Sequence, residues 1–130
     1  MFFASDNSGP VPPQVLEAMT RAGVPLDRIA LHMHDTRGTE LANILAGLSY
    51  GVRTFDASVA GLGGCPYAPG AAGNAASEDL IHVLEAMGYE TGIDLSALIK
   101  IRTILSAGLP DEQLYGFLPD AGTPLGWEDT

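Results

Sequence analysis

Positive charge is scarce in this sequence. Six lysines and arginines stand against sixteen aspartates and glutamates, which gives a net charge of −10 at neutral pH. Binding to nucleic acid or to an anionic membrane surface needs clustered basic residues, because these replace the counterions around phosphate groups. We therefore expect neither a nucleic-acid nor a membrane partner.

Long hydrophobic runs and disulfide pairs are missing as well. The longest apolar stretches, such as IALHMH, fall well short of the roughly 20 residues that span a bilayer. The start, MFFASDNSG, lacks the basic segment and long apolar core of a secretory signal. The one cysteine, Cys65, has no second cysteine to pair with. These features together predict a cytoplasmic location.

What is present suits one folded domain of 130 residues, with 46% hydrophobic and 17% charged residues. Short β-compatible runs alternate with amphipathic segments along the chain. The predicted strands are FFAS at 2–5, RIALHMHDT and VRTFDASV. The predicted helices are QVLEAMTRAG, TELANILAGLSYG, SEDLIHVLEAMG and DLSALIKIRTILSAGL. This alternation predicts an α/β fold with a parallel sheet, because parallel neighbours need crossover connections.

Two helices carry further local signals. The second should place Leu41, Ile44, Leu45 and Leu48 on one buried face. In the third, Ser77 is a candidate N-cap, and Glu78 and Asp79 suit the positive end of the helix dipole. Residues 110–130 are rich in proline, glycine and acid, and we expect a tail there that follows a domain at 1–109.

Two histidines stand out in RIALHMHDT. Alternation along a strand puts Ala30, His32 and His34 on one face, with Ile29, Leu31 and Met33 on the other. Both imidazoles can then reach one cation, with Asp35 or a backbone carbonyl accepting a hydrogen bond from a second ring nitrogen. The alternative is a pair of hydrogen-bonded core histidines with no ligand.

Cys65 lies in a loop that is poor in side chains. The glycines of this loop are Gly61, Gly63, Gly64, Gly70 and Gly73. A free cysteine is often a small buried hydrophobe, but this loop is unsuited to core formation and suits a lid that excludes water. The pattern favours a thiol that faces a ligand.

Polar residues near the predicted strand ends and the next helix are weaker candidates. Asn74 is expected to be a turn or N-cap residue. Asp6 follows the first predicted strand, and Asp56 lies near the end of the third, where it faces either the site or the loop. Glu78 is expected in the first helical turn. Catalytic residues of a (β/α)₈ barrel lie at such strand ends.

Three stretches resemble one known family. These are LHMHDTRGTELAN, GVRTFDASVAGLGGCPYAPGAAGN and ASEDLIHVLEAMGYETGIDL, within about Ala4 to Leu98. They are similar to the 3-hydroxy-3-methylglutaryl-CoA (HMG-CoA) lyases, which belong to a metal-dependent lyase and acyltransferase group with a (β/α)₈ barrel. The segment GGCPY is the most specific, since the related isopropylmalate and homocitrate synthases lack it.

The resemblance implies roles for individual residues. His32, His34 and Asn74 would bind a divalent cation, with Mg²⁺ or Mn²⁺ favoured, and Cys65 would exchange a proton with the product carbon. Asp6, Asp35, Asp56 and Glu78 are weaker candidates for contacting the substrate or supporting the ligands. The implied reaction cleaves HMG-CoA to acetoacetate and acetyl-CoA, as in leucine degradation, and makes an acyl-CoA the expected small-molecule partner.

The resemblance also implies that only about three βα units, the last of the barrel, are represented. The family's Arg-Asp pair on the first strand has no counterpart in this sequence. We therefore expect weak lyase activity from the chain alone, and either a homo-oligomer or a complementary N-terminal half as its partner. The alternatives are a non-catalytic module for metal binding or assembly, and an acyltransferase that runs the condensation.

Overall fold

The computed structural model describes residues 13–64 and 72–127. The helices and strands in these ranges are α1 (Pro13–Arg21), β1 (Ala30–His32), α2 (Glu40–Ser49), β2 (Thr54–Asp56), α3 (Ser77–Ala86), α4 (Leu95–Gly108) and α5 (Leu118–Ala121). A one-turn 3₁₀ helix covers Val59–Gly61. The four helices predicted from the sequence are all present, and α5 is an additional short helix.

The two strands are parallel neighbours. Ala30 pairs with Thr54, Leu31 with Phe55 and His32 with Asp56. Helix α2 makes the crossover that parallel pairing requires. The α/β class and the parallel arrangement are therefore confirmed, while the strand predicted at 2–5 lies outside the described residues.

Strand alternation decides which face of the sheet is buried. Ile29, Leu31 and Met33 are buried, whereas the side chain of His32 is 54% exposed. The predicted division of RIALHMHDT into an apolar and a polar face is confirmed. The apolar face joins a core cluster, whose other buried members are Ile44, Leu48, Val52, Ala75 and Leu80.

Helix α2 is rotated relative to the prediction. Ile44 and Leu48 are buried, but Leu45 is 39% exposed, so its assignment to the buried face was wrong. The buried side of α2 also carries Gly47, where a Cβ would lie 2.4 Å from Leu31 Cδ1. The missing side chain lets the sheet approach the helix there, and about 100° of rotation per residue turns Leu45 outward.

A second cluster joins the C-terminal helices. Ile81, Leu95 and Leu118 are buried together, with Trp127 packed against them. Asp94 caps α4 by accepting a hydrogen bond from the Ala97 N–H at 2.7 Å. Residues from the predicted tail thus contact the body of the chain, and the division between residues 109 and 110 stays a prediction.

The start of α3 differs from the sequence prediction. Its N-cap is Ala76, and no side chain caps it, so the assignment of Ser77 as the cap was wrong. The Ser77 N–H instead donates to the Ser58 carbonyl at 3.0 Å, which ties the start of α3 to the chain just beyond β2. No helix in the described part of the chain is both long and apolar enough to cross a bilayer.

Candidate metal centre

His32 and Asp56 meet because their strands are in register. The residues are direct partners across β1 and β2, with side chains on the same face. His32 Nδ1 contacts Asp56 Oδ1. A carboxylate at Nδ1 favours the tautomer with its proton on that nitrogen, which leaves a lone pair on Nε2.

His34 brings a second imidazole to the same place. The Nε2 atoms of His32 and His34 lie 3.0 Å apart, and the rings meet edge to face with centroids separated by 4.9 Å. The sequence predicted that these rings share a face, and the structure brings their Nε2 atoms together. Two such atoms side by side are able either to share one proton or to bind one cation.

Asn74 lies beside His34 rather than in a turn or at a helix cap. Residues 73–75 run antiparallel to 33–35, with hydrogen bonds from Ala75 N–H to the Met33 carbonyl (2.9 Å) and from Asp35 N–H to the Gly73 carbonyl (3.2 Å). The expectation of an N-cap was therefore wrong, because the chain is held in extended pairing until Ala76.

One hydrogen bond orients the Asn74 amide. Asn74 Nδ2 donates to the Leu62 carbonyl at 2.8 Å. Its Oδ1 is buried and has no hydrogen-bond partner among the described residues. A buried amide oxygen without a donor is costly, since most buried polar atoms are paired. The arrangement therefore suits an oxygen that serves as a ligand.

These donors fit a divalent cation. Hard cations accept amide oxygens, and imidazole suits several divalent metals. Two ligands at right angles on an octahedral ion, with bonds of about 2.1 Å, lie about 3.0 Å apart. That is the separation of the two imidazole nitrogens. Among the described residues no three His, Cys, Asp or Glu side chains are grouped around a possible metal position. His32, His34 and Asn74 would therefore leave further positions of an octahedral ion to other ligands.

The other candidate residues fall into three groups. Asp35 Oδ1 accepts a hydrogen bond from the Glu40 N–H at the start of α2, at 3.2 Å. The carboxylate that contacts His32 is that of Asp56 and not that of Asp35. Glu78 is fully buried and accepts a hydrogen bond from the Ala60 N–H. Its predicted place in the first helical turn did not suggest this burial. Outside the described residues lie Asp6, Cys65 and Gly70.

Three of the remaining loop glycines, Gly61, Gly63 and Gly73, lie close to one another or to Asn74. A Cβ on Gly73 would lie 1.5 Å from the Gly61 carbonyl oxygen, and one on Gly63 would lie 2.7 Å from Asn74 Nδ2. Gly64 is exposed. At positions 63 and 73 the glycines thus permit close backbone approach, which brings the loop base against the Asn74 segment.

Glu40 is a buried acid that the sequence analysis did not single out. It is 4% exposed, and burial, followed by the charges of Asp35 and Asp79, raises its pKa to about 8. A glutamate in a first helical turn normally faces solvent, so no local signal pointed to its burial.

Comparison with known proteins places this chain in a family. A family model described as HMGL-like matches residues 11–105. The chain belongs to the HMGL-like family. The HMG-CoA lyase of Pseudomonas mevalonii is 52% identical over 96 residues, which are 74% of this chain and 32% of that protein. The (R)-citramalyl-CoA lyase of Chloroflexus aurantiacus is 46% identical over 108 residues, which are 81% and 34% of the two chains.

Solved structures give the same result for the fold. The HMG-CoA lyase of Bacillus subtilis superposes with a TM-score of 0.76 at 44% identity, covering 83% of this chain and 36% of that one. An HMG-CoA lyase of Acinetobacter baumannii, solved with coenzyme A and 3-methylmalate, gives 0.76 at 40% identity, covering 89% and 37%. The fold is therefore part of a (β/α)₈ barrel, and the chain spans about a third of the length of these relatives.

Proposed function

We propose that this chain contributes the metal-binding part of an HMG-CoA lyase site. His32, His34 and Asn74 would hold a divalent cation, with Mg²⁺ or Mn²⁺ favoured. The observation that carries the proposal is the Asn74 amide, whose Nδ2 is fixed by Leu62 and whose buried Oδ1 has no partner among the described residues. It lies on the segment paired with His34, whose Nε2 is 3.0 Å from that of His32.

The proposed reaction is a carbon–carbon cleavage. A basic group of the site takes the proton of the tertiary hydroxyl of HMG-CoA, the adjacent carbon–carbon bond breaks, and the products are acetoacetate and the enolate of acetyl-CoA. A bound divalent cation would supply a Lewis acid that lowers the pKa of the hydroxyl and orients the substrate. The thiol of Cys65 would then donate its proton to the enolate carbon, which converts the enolate to acetyl-CoA.

Asp56 has a supporting role in this proposal. Its carboxylate holds the Nδ1 proton of His32, which keeps the Nε2 lone pair directed towards His34. A carboxylate bonded to a ligating histidine fixes the orientation of the ring and raises its basicity. Replacing Asp56 would therefore weaken cation binding without removing a ligand.

The substrate and the partners belong to the same proposal. The lyases of Pseudomonas mevalonii and Chloroflexus aurantiacus act, by their names, on HMG-CoA and on (R)-citramalyl-CoA, so an acyl-CoA is the proposed substrate class. The chain spans about a third of their length. A homo-oligomer or a complementary N-terminal half is the proposed protein partner. We also propose a role in leucine catabolism and a cytoplasmic location.

A second candidate is a non-catalytic module that retains the cation site. The 54% exposure of the His32 side chain is consistent with a site that further protein would cover. The acyltransferase alternative is weaker, since both of these relatives are lyases by name. In both candidates the three ligands keep the same role.

Lyase turnover distinguishes these candidates. Acetoacetate release from HMG-CoA is measured with Mg²⁺ or Mn²⁺ for the pure chain and for Cys65→Ala. We expect slow turnover from the chain, because relatives about three times as long provide additional groups. Turnover that disappears in Cys65→Ala supports the lyase, whereas no turnover in either protein, with cation binding retained, supports the module. Turnover unchanged in Cys65→Ala would contradict the proton-donor role.

A further inference from the structure

Ala60 has an unusual backbone conformation at the base of the glycine loop. Its φ of 57° and ψ of 22° lie in the left-handed region, where it is the one residue other than glycine in the described part of the chain. A left-handed alanine is strained, so the surrounding structure must hold it there. Two contacts, on opposite sides of the residue, do so.

The first contact comes from α3. Both carboxylate oxygens of Glu78 accept from the Ala60 N–H, at 3.1 and 3.0 Å, and the Glu78 side chain is fully buried. A carboxylate that accepts a backbone N–H away from water makes one of the stronger hydrogen bonds in a protein. Its charge also needs a nearby cation.

The second contact comes from the C-terminal segment. The Tyr115 N–H donates to the Ala60 carbonyl at 2.8 Å. Both backbone polar groups of Ala60 are thus bonded to residues distant in sequence. Close packing supports this arrangement, since a Cβ on Gly61 would lie 3.0 Å from Tyr115 Cβ.

Arg102 joins the two contacts. Its guanidinium donates to the Tyr115 carbonyl and lies 3.9 Å from a Glu78 carboxylate oxygen. The Arg102 side chain is only 15% exposed, so its interactions are partly shielded from water. Asp79 holds the C-terminal segment that contains Tyr115, because its carboxylate accepts hydrogen bonds from the N–H groups of Phe117 and Leu118, each at 2.7 Å.

This network is connected to the metal centre through two residues. Leu62, whose carbonyl orients the Asn74 amide, comes two residues after Ala60. The Gly61 carbonyl is packed against Gly73, the residue before Asn74. A change in the Ala60 backbone would therefore move the acceptor that directs Asn74 Oδ1.

We propose that Arg102 is a positioning residue for the metal centre: with Glu78 and the backbone of Tyr115 it holds Ala60 left-handed, and thereby sets the orientation of the Asn74 amide. The inference rests on the proposed function only in treating Asn74 as a ligand. It assigns the C-terminal segment 114–121 a role in the site, although no residue of that segment is among the ligands.

The test compares Arg102→Gln with Arg102→Lys and with Lys100→Gln, a control that removes a charge from an exposed position on α4. The side-chain amide resonances of Asn74 and the hydrogen exchange of the Ala60 N–H are measured by NMR, and Mn²⁺ affinity is measured by titration. Arg102→Gln should shift the Asn74 resonances, speed Ala60 exchange about tenfold relative to core amides, and weaken Mn²⁺ binding several-fold. Arg102→Lys, which keeps the positive charge, should show smaller changes than Arg102→Gln in all three measurements.

The readouts separate this inference from the proposed function. If wild type does not bind Mn²⁺, the metal site fails, while the Asn74 shift and Ala60 exchange still test the positioning role. Asn74 resonances and Ala60 exchange in Arg102→Gln that match Lys100→Gln would overturn the inference. Should Arg102→Gln not fold, the same comparison is made with Arg102→Lys, where unchanged Asn74 and Ala60 signals would equally overturn it.

Discussion

Individual residues of the candidate metal centre were predictable to different degrees. The shared face of His32 and His34 follows from strand alternation alone, because a period of two applies wherever the strand is placed. The contact between His32 and Asp56 depends on the register of two strands, which the sequence does not encode locally. A ligand role for Asn74 was suggested only by resemblance, since its local signal favours a helix cap.

Local reasoning did not reveal which acidic residues are buried. Glu40, Glu78 and Asp79 all lie in first helical turns, where an acid normally faces water and interacts with the helix dipole. The buried carboxylates of Glu78 and Asp79 accept hydrogen bonds from residues distant in sequence, Ala60 and Leu118 respectively. No local pattern carries that information.

Glu40 should make stability depend on pH. Its folded-state pKa of about 8 lies above its ordinary value of 4.5, so the folded state binds the proton more tightly. Glu40 therefore contributes its full stabilisation of the folded state below pH 4.5, and this contribution is lost as the pH rises to about 8. Within that window the unfolding free energy should fall by up to about 1.4 kcal/mol for each pH unit.

Urea denaturation across the same window measures this slope. Glu40→Gln should flatten the pH dependence, because the amide needs no proton to be neutral. Glu90→Gln, at an exposed position, should keep the wild-type slope. A Glu40→Gln slope equal to that of wild type would show that another group is responsible.

At the scale of elements, the order of helices and strands was well predicted by periodicity and glycine positions. The segment 73–76 was not predicted as extended, because glycine, asparagine and alanine have no β-forming signal. It is held by hydrogen bonds to the chain after both strands, at the Met33 carbonyl and at the Ser58 N–H. Long-range pairing here overrides local propensity.

Gly73 should be essential to that pairing. In Gly73→Ala the new Cβ would lie 1.5 Å from the Gly61 carbonyl oxygen, so one backbone segment would have to move. We expect a loss of about 3 kcal/mol or more in unfolding free energy. Gly108→Ala, in α4 with no atom within 4 Å of the new Cβ, should be neutral or slightly stabilising.

Thermal and urea denaturation of the two variants provides the comparison. If Gly73→Ala is as stable as Gly108→Ala, the close approach of the loop base to residue 73 is contradicted. Gly108→Ala serves as the matched control, because it makes the same chemical change without a steric neighbour.

For the whole molecule, fold class and family were both predictable, although from different information. Alternating periodicity indicates a parallel α/β fold, while GGCPY and the HxH strand point to the family, which the match over residues 11–105 confirms. The contact of residues 114–121 with the glycine loop could not be predicted, because a segment rich in proline and glycine has no periodicity. Its hydrogen bonds are made with Ala60, Arg102 and Asp79, which are all distant in sequence.

The most direct test of the central claim is Mn²⁺ affinity in histidine variants of this chain. The sequence has three histidines, two in the proposed centre and His82 on α3. We predict that His34→Ala weakens Mn²⁺ binding about 100-fold or more, because it removes a ligand, while His82→Ala binds like wild type. Equal affinity in His34→Ala and His82→Ala would contradict a metal centre at His32, His34 and Asn74.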